Sequence, residues 1–250
     1  MREYTAKIVE NIPIAENIHS LTFELPEKPE VRAGQFAELS VGGSHLLRRP
    51  LAVCRAEGKK ITVCFQIKGE GTKLLSLKKA GETLNVLMPL GNGFFVAENE
   101  KKVALVGGVG IFPMISVLRE YAGEKELSAY IGFRNRGAVC GMEDLKRADR
   151  LLAVTDDGSF GEKMNAVQAF VRDLSAGYRP DVVLSCGPLP MLRALKEALD
   201  GKNIPCFVSL EERMGCGIGA CLVCVCNLTN GEHARVCKDG PVFDIRNVIL

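Results

Sequence analysis

Five cysteines fall within 22 residues near the end of this 250-residue chain: Cys216, Cys221, Cys224, Cys226 and Cys237. A stretch so dense in thiols and glycines must be organised around something other than a packed apolar face. The order Cys216-x4-Cys221-x2-Cys224-x12-Cys237 is the spacing by which one loop gives three thiolates to a [2Fe–2S] cluster and a fourth arrives from beyond it. Such a loop must aim backbone N–H groups at the sulfurs. Gly215, Gly217 and Gly219 suit that need, because glycine takes positive φ and lets the backbone approach an inorganic core. The competing reading is one structural zinc ion held by four cysteines. Zinc ligands usually come as two short hooks, and this sequence has one. Cys226 stands outside the pattern, either as a surplus thiol or in place of Cys224, and the x4–x2 spacing favours Cys224. His233 lies within the span, but a Rieske arrangement needs two histidines, so it is expected on the surface.

The other five cysteines, Cys54, Cys64, Cys140, Cys186 and Cys206, are scattered through apolar segments. They read as small buried hydrophobes, not as a secreted disulfide framework. A hydrophobic content of 47% supports well-filled cores, and a formal charge of +2 without a dense Lys/Arg block gives no footprint for nucleic acid or a membrane surface. No apolar run approaches the roughly 20 residues of a membrane span, and the first ten residues alternate polar and apolar like a strand, not a secretory signal. The expected location is the cytoplasm.

Three stretches of different grammar are visible. Residues 1–98 read as all-β: Val31–Val41, Arg49–Arg55, Ile61–Lys68 and Thr83–Leu87 are short β-prone segments between glycine-bearing turns, and one helix over Gly71–Lys79 interrupts them. This suits a small antiparallel barrel. From residue 99 to 210, apolar strands at Lys102–Val106, Leu127–Phe133, Leu151–Thr155, Val182–Cys186 and Pro205–Leu210 alternate with helical stretches such as Pro113–Tyr121 and Leu189–Leu199. Strand and helix in alternation mean a parallel sheet covered on both faces. Residues 211–250 lose periodicity and form the cysteine module. The expected fold is therefore multidomain: an antiparallel β-barrel, an α/β domain with a parallel sheet, and a small C-terminal cluster module.

Two kinds of anion site stand out. Arg49-Pro50-Leu51-Ala52 lies on a barrel strand, and Gly71-Thr72 opens a helix. A cation beside a helix N-terminus favours a pyrophosphate. Gly107-Gly108-Val109-Gly110 follows the first apolar strand and opens a helix, although its glycines do not follow G-x-G-x-x-G. Cys186-Gly187-Pro188 caps a later parallel strand in the same way, at the sheet edge where ligands bind. Cys186 is either a residue facing a nicotinamide or a buried core thiol.

Taken together these segments resemble the ferredoxin reductase family, in which an FAD-binding barrel precedes a nucleotide-binding α/β domain. The resemblance assigns Arg49, Pro50, Leu51 and Ala52 to the barrel's flavin motif and Gln66, Ile67, Lys68, Gly71 and Thr72 to its second FAD element. It assigns Gly107, Gly108, Gly110, Cys186 and Gly187 to the pyridine nucleotide. Ala52 stands where the family usually has Ser, so one hydroxyl contact to FAD is absent. The Cys216–Cys237 module, followed by Lys238-Asp239-Gly240-Pro241-Val242-Phe243, is similar to that of the electron-transfer subunits of type B dihydroorotate dehydrogenases, and this likeness covers essentially the whole chain. It implies an oxidoreductase subunit of pyrimidine (UMP) biosynthesis that takes electrons from a catalytic FMN-containing partner through [2Fe–2S] and FAD to NAD⁺, two copies of each chain assembling together. No catalytic base acting on an organic substrate is expected here. A flavin subunit of an NAD(P)H–ferredoxin oxidoreductase, or of a hydrogenase or sulfur reductase, shares the same parts. A non-catalytic zinc-bearing binding module is the alternative of another class.

Overall fold

Tyr4, Ala6 and Ile8 are buried while their neighbours are exposed, the alternation of a strand with one face on a core. In the computed structural model, which describes residues 1–43, 45–108 and 110–250, this strand is β1 (Arg2–Ala15). With β2 (Ile18–Glu24), β3 (Phe36–Leu39), β4 (Arg49–Glu57), β5 (Lys60–Gln66) and β6 (Thr83–Leu90) it closes an antiparallel barrel in the order β1-β2-β5-β4-β3-β6. Phe23, Leu39, Val53, Ile61, Val63 and Met88 fill the interior. The helix α1 (Glu70–Leu77) starts one residue earlier than the sequence predicts and ends two earlier. Its start is set by Thr72, whose hydroxyl accepts from the N–H groups of Lys68 at 3.0 Å and Gly69 at 3.2 Å.

Beyond the barrel come β7 (Lys102–Gly107), α2 (Phe112–Tyr121), β8 (Glu126–Phe133), α3 (Met142–Leu145), β9 (Arg150–Thr155), α4 (Ala166–Ser175), β10 (Val182–Cys186), α5 (Leu189–Leu199) and β11 (Cys206–Ser209). β11, β10, β7, β8 and β9 pair in parallel, as continuous apolar strands covered on both faces should. The loss of periodicity expected after residue 210 is only partial. β12 (Val225–Asn227) and β13 (His233–Arg235) form a hairpin, and β14 (Val242–Asp244) pairs antiparallel with β11 as the edge of the six-stranded sheet. Part of the cysteine tail therefore belongs physically to the α/β sheet.

The units meet through a buried carboxylate. Asp144, whose side chain is 4% exposed, takes Arg55 of the barrel at 2.7 Å and Arg119 of α2 at 2.6 Å. The N–H groups of Ala33 and Gly34 donate to Glu120 and Ser116 of α2. At the other end Asn92, just past β6, exchanges hydrogen bonds with Val242 and also donates to the Asp239 carbonyl. Among the described residues no helix is long and apolar enough to cross a membrane.

Candidate functional site

A cavity of about 630 Å³ opens between the barrel wall and the C-terminal ends of the parallel strands. Of the residues the sequence singled out, Pro50, Leu51, Ala52, Gln66, Lys68 and Thr72 line it from the barrel side, and Gly110, Cys186 and Gly187 from the sheet side. Arg49, Ile67, Gly71, Gly107 and Gly108 lie outside this lining, and Val109 of the glycine-rich turn lies outside the described residues. The Arg49 guanidinium nevertheless sits directly over the Cα of Gly71, so closely that any side chain at 71 would displace it. Its Nη1 donates to the Leu47 carbonyl at 2.7 Å. The fold thus brings together the cation and the helix start that the sequence paired. A guanidinium held against the first turn of a helix is a pairing that favours an anionic pyrophosphate.

At the sheet side the turn after β7 meets the end of β10. The Gly108 N–H donates to the Cys186 carbonyl at 3.3 Å. A Cβ on Gly110 would stand 3.3 Å from Cys186 Sγ and 3.5 Å from Glu211 Oε1. Burial and the neighbouring Glu211 carboxylate push the Cys186 thiol up to about 12, against a hydrogen bond from Ser209. This thiol is therefore neutral. Gly107 does another job: its Cβ position is 3.3 Å from Ile131, so it is small for packing between sheet and helix. Sequence reading missed several lining residues: Phe36, Phe65, Phe112, Arg134, Asn135, Glu211, Glu212 and Met214. Arg134 and Asn135 were findable, since they follow directly on a parallel strand.

The cysteine loop runs on from this cavity. Met214 lines it, and Cys216 is two residues on. Gly217 and Gly219 take positive φ, at +69° and +80°. Gly215 does not; it is small for closeness instead, its Cβ position lying 3.1 Å from Cys221 Sγ. The β12–β13 hairpin returns the chain, and the Val236 N–H donates to the Cys224 carbonyl at 2.9 Å, which brings Cys237 beside the loop. Backbone donors point at the sulfurs as a cluster requires. The N–H of Gly219 is 3.1 Å from Cys237 Sγ, that of Ala220 3.3 Å from Cys216 Sγ, and that of Cys237 3.4 Å from Cys224 Sγ.

Backbone hydrogen bonds link the thiols as two pairs: the Cys221 N–H donates to Cys216 Sγ and the Cys237 N–H to Cys224 Sγ, each at 3.4 Å. Among the described residues no three His, Cys, Asp or Glu side chains close on one ion. Two pairs of thiols fit two bridged irons. Burial opposes ionisation of Cys216, but N–H groups of Ile218, Cys221 and Ala220 and the Cys221 thiol outweigh it and bring this thiol to about 6. Cys237, more deeply placed, is pushed up to about 12 by burial and by Cys224. Cys226 is buried on β12 opposite Ala234, its thiol raised by burial and by Glu212. His233 is exposed.

One buried group was not anticipated. Glu38 of β3 is 1% exposed, its Oε1 has no partner, and its carboxyl lies against Gly217, where a Cβ would stand 2.7 Å from the carboxyl carbon. Burial raises this acid to about 7, Arg48 pulling it down and Cys216 pushing it further up. A charged residue inside the apolar run Phe36–Leu39 was the available signal.

Comparison with known proteins adds three findings. A family model for the iron–sulfur cluster binding domain of dihydroorotate dehydrogenase B matches residues 211–249. The electron transfer subunit of dihydroorotate dehydrogenase B (NAD(+)) from Caldanaerobacter subterraneus is 36% identical over 248 residues, covering 98% of each chain. The subunit of the same name from Geobacillus kaustophilus is 40% identical over 249 residues, 95% of each chain. Among solved structures, an NADH-dependent reduced ferredoxin–NADP oxidoreductase superposes with a TM-score of 0.87 at 26% identity, over 98% of this chain and 89% of that one. The cytochrome P450 reductase GcoB of Amycolatopsis shares the fold alone, with a TM-score of 0.70 at 24% identity over 81% of this chain and 68% of that one.

Proposed function

The chain belongs to the family of dihydroorotate dehydrogenase B electron transfer subunits, and from that premise we propose how its residues carry electrons between a catalytic FMN-containing partner and NAD⁺. It is an oxidoreductase subunit with an iron–sulfur domain on a ferredoxin reductase-like fold. Bound in this chain, a flavin exchanges a hydride with nicotinamide and single electrons with an iron–sulfur cluster. Arg49 and the first turn of α1 at Gly71 and Thr72 hold the FAD pyrophosphate, while Pro50, Leu51, Ala52, Gln66, Ile67 and Lys68 form the barrel face against the flavin. Ala52 offers no hydroxyl to the ring. Phe36, Phe65 and Phe112 exclude water from the cavity. Gly110 and Gly187 leave backbone open to the cavity for the dinucleotide, the buried Gly107 and Gly108 pack the turn behind them, and Cys186 presents a neutral thiol where a nicotinamide would lie.

Cys216, Cys221, Cys224 and Cys237 hold the [2Fe–2S] cluster, and Cys226 does not. The observation that carries the relay is Met214. It lines the flavin cavity, and the two residues to Cys216 span at most about 7 Å of chain. The other face of the loop carries Cys221, Leu222 and Val223 exposed to solvent, a surface suited to the partner. The assembly holds two of each chain, and it resides in the cytoplasm, where the six cysteines outside the ligand set stay reduced. The ferredoxin–NADP oxidoreductase shares the fold over 98% of this chain, so the partner that co-purifies with the chain separates the two assignments.

Serine replacement tests the assignment. Each of the four ligand variants loses iron and the cluster's visible absorbance, while NADH still reduces the bound flavin, because hydride transfer bypasses the cluster. Cys226→Ser keeps both activities. A Cys224→Ser protein that retains its iron, beside a Cys226→Ser protein that loses it, overturns the ligand set.

A further inference from the structure

Arg235, the last residue of β13, joins the turn that carries Cys237 to the loop that carries the other three ligands. Its Nε and Nη2 fork onto Asp239 at 2.8 and 2.9 Å, and Asp239 Oδ2 also accepts the Arg235 N–H at 2.8 Å. The N–H groups of Lys238 and Asp239 close the same turn on the Arg235 carbonyl, at 3.0 and 2.8 Å. Cys237 is thus fixed at the centre of a five-residue clasp. One guanidinium nitrogen is left over. Nη1 reaches out of the clasp to the Gly219 carbonyl at 3.3 Å.

That carbonyl belongs to the peptide joining Gly219 to Ala220. In a trans peptide the C=O and N–H point in opposite directions. The N–H of this peptide, on Ala220, is the one that donates to Cys216 Sγ at 3.3 Å. Glycine at φ +80° places little steric restraint on the peptide that follows it, so an external hold on the carbonyl decides where the N–H points. Arg suits the role because its planar fork serves Asp239 with two nitrogens and still has a third.

We propose that Arg235 is a positioning residue for the cluster: by holding the Gly219 carbonyl it keeps the Ala220 N–H on Cys216 and so holds the cluster's reduction potential up. Hydrogen bonds to ligand sulfurs and nearby positive charge both favour the reduced, more negative cluster. Arg235 supplies the first through the peptide and the second as a permanent cation two residues from Cys237, in the turn that carries it. The inference rests on the ligand set proposed above.

The test is a redox titration of the full-length, cofactor-loaded protein, following the EPR signal of the reduced cluster, with iron counted per chain. Arg235→Lys keeps the charge and loses the fork, and its cluster titrates at a more negative potential than the wild type. Arg235→Gln loses both and shifts further in the same direction. Asp239→Asn shifts least, because it loosens the fork with Arg235 in place while removing a negative charge near the cluster, and the two effects oppose each other. If Arg235→Gln holds no iron, Arg235→Lys decides. Clusters fewer in number but at the wild-type potential mean that Arg235 only stabilises the fold, and the inference falls. Cys216→Ser distinguishes the two failures: iron retained at full occupancy there overturns the ligand set itself, whereas iron lost there with unmoved potentials in the Arg235 variants overturns only the role of Arg235.

Discussion

The cleft proposed for the flavin and the cysteine loop would hold a cofactor in opposite ways. The cleft is made by walls: barrel strands on one side, the ends of parallel strands on the other, with a buried Asp144 fastening them. The loop has no regular structure between Glu211 and Cys224. It is shaped by glycine conformation, by N–H···S hydrogen bonds and by the Arg235–Asp239 clasp. A site built from walls should tolerate local change and fail when the walls separate. A site built from a loop should fail at single backbone positions and ignore the walls.

The sharpest way to break this contrast is Gly217→Val. A β-branched side chain there must adopt positive φ, at about 1–2 kcal/mol, and displace the buried Glu38 carboxyl, at about 1–3 kcal/mol more. We expect iron to be lost and flavin retained; iron analysis and the flavin absorbance report both. Next in size is Glu38 itself. Its folded value of about 7 lies above the ordinary 4.5, so the folded state binds the proton more tightly than the unfolded chain. Its contribution is full below pH 4.5 and is lost as pH rises through 7, by no more than about 3 kcal/mol. Melting of the iron-free, flavin-bound chain should show a fall in Tm across that window that Glu38→Gln flattens. An equally steep fall in the variant would assign the slope to another group.

Asp144→Ala tests the walls. It strands Arg55 and leaves Arg119 only Glu57, and because both arginines are partly exposed the loss falls below that of a fully buried pair, at about 2 kcal/mol in urea unfolding. Flavin should bind more weakly while iron content stays unchanged. The smallest effect is at Arg49. Losing one charged hydrogen-bonding partner of a phosphate costs about 1.5 kcal/mol, so Arg49→Ala should weaken flavin retention roughly tenfold, read by dialysis against limiting FAD, and leave iron intact.

How much of this was legible in the chain follows the same division. The strand Val182–Cys186 and the helix Leu189–Leu199 have the bounds expected of them, because the strand is buried along its whole apolar run and the helix buries Leu192, Leu195 and Leu199 at helical spacing. The cysteine spacing pointed to the loop, and the iron–sulfur cluster binding family model matches residues 211–249, which contain it. What escaped was held by distant partners. β2 follows a turn at Asn17, whose φ of +57° no local pattern announces. β14 is a strand only because β11 lies beside it. Glu38 is set apart by its environment and not by its neighbours in sequence, and Gly215 differs from the positive φ expected of it because proximity to Cys221, not chain direction, calls for glycine there.

The antiparallel edge strand Val242–Asp244 has a consequence for anyone cutting the molecule apart. β11 is only four residues long, and β14 covers its outer side. A chain trimmed before Val242 to remove the iron-binding tail would leave that side as a row of unpaired amide and carbonyl groups, a template for aggregation. It would also free Asn92 from the Val242 backbone it grips. Deletion is therefore the wrong way to make a flavin-only version of this protein; cysteine-to-serine exchange, which leaves the seam closed, is the right one.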